Sequence, residues 1–134
     1  MTAKPFLALV AAVPSTLQSG LMALMTTTPL ISALLVAEEA SLLLRMVKDH
    51  RPALIVLDMD FPDAQMLLKQ IKSSWPLIRC ILLVDSVDQQ KEAENADAVL
   101  IKGFAADKLF ATIEDLFYQE ETDSQPEPNS EDGS

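Results

Sequence analysis

The sequence predicts an α/β domain: an open, doubly wound sheet of five parallel strands in the order 2-1-3-4-5, with helices on both faces and a short fourth helix. Three observations carry the prediction. Short apolar runs alternate with stretches of helical periodicity, the signature of repeated strand-helix units. The run Leu54 to Leu57 shows no polar alternation, as expected of a strand covered on both faces. It ends in acid at Asp58, ahead of Pro62 and a new helical pattern, and the carboxyl ends of such strands are where open α/β sheets gather functional groups.

The first strand is expected over Phe6 to Val10, closing in Ala11-Ala12-Val13-Pro14. Ser15 or Thr16 can cap the helix that follows, whose positions Leu17, Leu21, Leu24 and Met25 mark one buried face. Gly20 within it is read as permitting close packing on the sheet, and Thr26 to Pro29 breaks the helix. Ile31 to Ala37 reads as the second strand. Glu38 and Glu39 suit the first turn of a second helix, continued by Ala40, Leu43, Leu44 and Val47. Leu42 and Met46 widen its apolar stripe, a pattern that ordinarily marks no contact surface. His50 falls in the turn before the Leu54 strand and has no acidic or metal-ligating neighbours at useful spacing.

Ala64, Leu67, Leu68 and Ile71 outline the third helix, which Trp75-Pro76 stops. Ile78 to Val84 is the fourth strand, ending in Asp85-Ser86. It contains the only cysteine, Cys80, and a lone strand cysteine is ordinarily a small core residue rather than a nucleophile. Val87 to Glu94 is polar and gives the short fourth helix. Ala98 to Ile101 forms a fifth strand leading into Lys102-Gly103-Phe104. The last helix is the clearest, with Ala106, Leu109, Phe110, Ile113, Leu116 and Phe117 on one stripe.

A chain of 134 residues has room for one hydrophobic core. No apolar run approaches the roughly 20 residues that cross a bilayer. The amino terminus lacks a signal-peptide cleavage pattern, so the chain reads as soluble and cytoplasmic. The formal net charge is −10. From Glu120 onward there are six acidic residues and no Lys or Arg, which divides the chain into a domain over 1–118 and an acidic tail, read as disordered, over 119–134. Phosphate recognition needs clustered cations, and this balance argues against direct contact with nucleic acid.

Right-handed crossovers and the predicted strand order set the first and third strands side by side at the switch point. Ala11, Ala12 and Asp58 then line one crevice, and Asp85 and Lys102 end the next strands along. Two carboxylates and one ammonium thus reach a single rim from three separate strand ends. A structural ion pair and a signalling centre are both open readings of that cluster.

These residues resemble the receiver domains of bacterial two-component response regulators, over roughly Lys4 to Tyr118. Asp58 in Leu-Ile-Val-Leu-Asp-Met-Asp-Phe-Pro matches the phosphoacceptor aspartate and the proline beyond it. Lys102 in Val-Leu-Ile-Lys-Gly-Phe matches the lysine that pairs with the phosphoryl group, with Gly103 where the family often has proline. The opening strand and first helix, and Asn95-Ala-Asp-Ala before the fifth strand, are similar as well. The resemblance implies a flavodoxin-like fold.

The departures shape the expected function. Ala11 and Ala12 stand where the family has two metal-holding acids, and a methyl group cannot ligate magnesium, which takes hard oxygen donors in octahedral geometry. Phosphoryl transfer to a carboxylate relies on that metal to offset charge. Asp60 is expected to turn its side chain elsewhere, and metal, if any, falls to Asp58 and Asp60. Asp85 or Ser86 stands at the switch-hydroxyl position, Val99 replaces the aromatic of the switch, and the fourth helix is shortened.

The resemblance therefore implies a stand-alone atypical receiver, not an enzyme, acting by protein contact. Its partners would be a histidine kinase, an output protein or a second copy, with no cofactor expected. A second reading keeps phosphorylation of Asp58 with magnesium. A remote third treats Asp58-Met-Asp60 as the nucleophile motif of a haloacid-dehalogenase-type phosphatase, though no later acidic pair completes its magnesium site.

Overall fold

The computed structural model of the chain describes residues 4–90 and 95–124. Its elements alternate: β1 (Phe6–Ala11), α1 (Thr16–Met25), β2 (Ile31–Ala37), α2 (Ala40–His50), β3 (Leu54–Asp58), α3 (Ala64–Ser74), β4 (Arg79–Val84), α4 (Val87–Gln90), β5 (Ala98–Ile101) and α5 (Ala106–Ser124). The strands form one sheet in the order β2-β1-β3-β4-β5, every neighbouring pair parallel. This is the predicted topology.

The pleat explains how one sheet serves two cores. Successive strand residues point to opposite faces, so Leu9, Ile55, Leu57, Cys80, Leu82 and Val84 join Leu43 and Val47 of α2 and Leu67, Leu68 and Ile71 of α3. Their alternates, among them Ala8, Val10, Val56, Ile81, Leu83 and Leu100, meet Leu21 and Met25 of α1 and Leu109 and Ile113 of α5. Hence α2 and α3 cover one face and α1 and α5 the other, and β3 and β4 have no polar side chain between Leu54 and Leu57 or between Cys80 and Val84. Burial pushes the Cys80 thiol up to about 12, in keeping with its place in the core.

Local chemistry sets the element ends. Ser15 caps α1 by accepting the Gln18 N–H at 3.1 Å. Arg51 closes α2 in the left-handed region at φ 46° and donates its N–H to Val47 at 2.9 Å. His50 is the last residue of that helix rather than part of the turn. Glu38 and Glu39 precede α2 instead of forming its first turn. Gly20 is exposed, and an added Cβ there would meet nothing within 4 Å, so it does not serve close packing on the sheet. The α5 backbone continues to Ser124, beyond the expected domain boundary at 118, so the first part of the expected tail, 119–124, is helical. The expected fourth helix extended to Glu94, and residues 91–94 lie outside the described residues, as does the tail from 125.

The core should respond as a packed interior. Leu82, fully buried in β4, leaves a cavity when truncated, and Leu82→Ala is expected to lower unfolding free energy by about 3 kcal/mol in urea titrations.

Candidate functional site

The same alternation that builds the cores places the functional side chains. Ala12, Asp58, Asp85 and Lys102 each lie two residues beyond a strand position that faces α1 and α5, so they share a pleat parity at the carboxyl edge. Parallel register fixes their heights. Asp58 pairs with Leu83, and Leu83 with Leu100. Lys102 donates its backbone N–H to Val84 at 2.8 Å. Its long side chain therefore starts beyond Asp58 and reaches back along the edge.

The result is one ammonium among three carboxylates. Lys102 Nζ lies 2.6 Å from Asp58 Oδ1, 2.8 Å from Asp60 Oδ2 and 3.0 Å from Asp85 Oδ1. Asp58 is the buried member, its side chain only 5% exposed, while Asp60 and Asp85 face solvent. Burial of Lys102 works to lower its pKa, but hydrogen bonds to Asp58, then Asp60 and Asp85, outweigh it and hold the ammonium well above the usual lysine range. Gly103 follows at φ 94°, a backbone conformation open to glycine.

Asp60 corrects the expectation that its side chain would turn elsewhere. The chain leaves β3 in a turn in which Asp58 Oδ1 accepts the Asp60 N–H at 3.0 Å and the Asp58 carbonyl accepts the Phe61 N–H at 2.9 Å. That turn swings the Asp60 carboxylate onto Lys102. Of the two switch-position candidates, Asp85 touches the ammonium, and Gln89 Oε1 accepts its backbone N–H at 2.7 Å. Ser86 is exposed. Val99 is half-buried against the α2 and α3 core.

Ala11 and Ala12 are both fully buried. Ala11 pairs with Leu57 and faces the α2 and α3 core, while Ala12 faces the α1 and α5 core. A polar contact that the sequence did not suggest closes this corner. Buried Gln18 of α1 donates Nε2 to the Ala12 carbonyl at 2.9 Å and to Glu38 Oε2 at 2.8 Å. The two side chains come from different strand-helix units and have no local pattern to announce them. Among the described residues, no group of three or more His, Cys, Asp or Glu is arranged to hold a metal ion.

The strand order and this acidic crevice at the switch point define a flavodoxin-like α/β domain. No protein-family model and no curated protein matches the chain. Solved structures do. A signal receiver domain of an HD domain-containing protein from Pseudomonas fluorescens Pf-5 matches at TM-score 0.77 and 19% identity, over 92% of this chain and 93% of its own. A response regulator receiver domain protein from Clostridium thermocellum matches at 0.74 and 21%, over 87% and 97%. The N-terminal signal receiver domain of a two-component system response regulator from Bacteroides fragilis gives 0.73 and 16%, over 82% and 94%. At these identities the likeness is one of fold: the chain has the fold of response regulator receiver domains. No helix among the described residues is long and apolar enough to cross a membrane.

Removing the cation should expose its role. Because its pKa is raised, the Lys102 contribution is complete below the ordinary lysine value of 10.5 and fades only as pH climbs beyond it. Lys102→Met is expected to cost about 2 kcal/mol at neutral pH. The deficit should hold across neutral pH and narrow only as pH climbs beyond 10.5, as read by urea denaturation across pH.

Proposed function

We propose that this chain is a receiver-like signalling domain that works by protein contact and does not take a phosphoryl group on Asp58 by the magnesium-dependent route. The observation that carries the reading is the triple pairing of Lys102 with Asp58, Asp60 and Asp85. An acceptor carboxylate bound this way has its charge compensated from within the chain. Its Oδ1 lone pairs are directed at Lys102 Nζ and the Asp60 N–H rather than at an incoming group.

The family's magnesium does not fit the residues present. The positions that would supply two carboxylates carry the methyl groups of buried Ala11 and Ala12, and magnesium accepts little departure from an octahedron of oxygens. Asp85 adds an anion where a phosphoryl oxygen would approach, which opposes its arrival by like-charge repulsion. No step through the metal is assigned to this site. The work left to the domain is recognition, with a histidine kinase, an output protein or a second copy as the partner classes, in the cytoplasm and without direct contact with nucleic acid.

Asp58 and Lys102 in contact also support a second reading, in which the pair opens and Asp58 accepts phosphate. Incubating the full chain with a small phosphodonor and magnesium separates the two. The expected mass spectrum shows no phosphoryl gain. An acid-stable, base-labile gain mapped to Asp58 and absent from Asp58→Asn would overturn the proposal. The phosphatase reading requires turnover of a generic aryl phosphate that Asp58→Asn abolishes, and none is expected.

A further inference from the structure

At the amino edge of the sheet, opposite the acidic centre, lies an apolar groove of about 490 Å³, lined by Arg51, Pro52, Trp75, Pro76, Leu77 and Ile78 among others. Leu77 is 83% exposed, and Trp75 packs one side against the α2 and α3 core. The Arg51 guanidinium stands over the indole, 5.4 Å from the ring centroid. Its Nε donates to the Lys48 carbonyl at 3.2 Å, which orients the group. The groove thus offers an aromatic floor with a cation fixed above it.

Charge says what kind of segment it suits. In a chain of net charge −10, helices α2 and α3 carry one acid, Asp49, against Arg45, Lys48, Lys69 and Lys72, with Arg51 at the α2 cap. Lys72 is tied to the Pro76 and Ile78 carbonyls and to Asp97. The other four cations are exposed and make no ion pair among the described residues. This is a basic face on an acidic protein.

The chain itself carries a matching segment. Residues 125–134 hold Pro126, Glu127, Pro128, Glu131 and Asp132 and no Lys or Arg. They follow α5, which runs from the carboxyl edge back to the amino edge, where Phe117 stacks on Phe6 at 4.2 Å between centroids. The groove is joined to the same edge, since Ala53 donates its N–H to the Leu7 carbonyl at 2.9 Å. Passing from the α5 layer to the α2 and α3 layer takes about 20 Å, and ten extended residues reach about 33 Å.

We propose that residues 125–134 fold back around the amino edge and dock in this groove, the prolines against Trp75 and Leu77 and the carboxylates against Arg51 and Lys48. Prolines on aromatic floors and acids on clustered cations are established ways of holding an extended segment. The segment screens the exposed apolar surface and the unpaired cations together.

Trp75 is the only tryptophan, so intrinsic fluorescence reports on the groove directly. Ending the chain at Ser124 is expected to shift its emission to the red and increase quenching by acrylamide, with circular dichroism unchanged. Added peptide 125–134 should reverse both changes saturably, less well as salt rises, and should fail on the truncated chain carrying Arg51→Glu. Lys108→Glu, on α5 at the other face, should leave the peptide's effect intact. Identical emission and quenching in full and truncated chains would overturn the proposal. So would a difference that vanishes on dilution, which places the tail of a second copy in the groove, or a peptide response indifferent to Arg51→Glu.

Discussion

A carboxylate buried at the end of a central strand must be compensated, and the rest of this structure is arranged around how that is done. Asp58 closes β3 at 4% exposure, where an uncompensated charge is costly. The compensation is the Lys102 ammonium, brought from β5 two strands away and shared with Asp60 and Asp85. Losing one partner of a buried pair costs far more than a surface ion pair contributes. The contact therefore ties the β3 end, the turn after it, the β4 end and the start of the β5 exit into one unit.

The sheet makes this contact possible and the cores keep it in place. Parallel register sets the strand ends side by side, the pleat gives them one parity, and buried residues on both faces leave the strands no freedom to slip, because a one-residue slip would turn every side chain to the other core. At the corner beside Asp58, the side chains of Ala11 and Ala12 are methyl groups, one in each core. Gln18 satisfies the Ala12 carbonyl and reaches Glu38, so the polar groups of that corner are occupied within the chain.

Strand content, topology and the convergence of Asp58, Asp85 and Lys102 were legible in the sequence because they follow from short-range periodicity and one topological rule. The α5 stripe and the unbroken apolar runs of β3 and β4 are signals of that kind. What was not legible depends on turns and on pairs far apart in the chain. Asp60 reaches Lys102 only because the Asp58 side chain captures the Asp60 N–H, a geometry that strand alternation does not encode. The Gln18 to Glu38 bond spans two strand-helix units. Glu38 and Glu39 had the composition of a helix first turn, yet the chain is still extended at Glu39, where φ is −138°. The groove at Trp75 arises because β3 and β4 are neighbours, which gathers two proline-containing turns that the sequence shows only as separate stops.

The central claim is that Lys102 serves as the cation of this crevice in place of a divalent ion. Titrating magnesium into the isotopically labelled protein, while following the backbone amide resonances of Met59, Asp60 and Lys102, tests it most directly. The account predicts small, linear drifts that never saturate. Saturable shifts at these amides, with the Lys102 side chain released from Asp58, would contradict it.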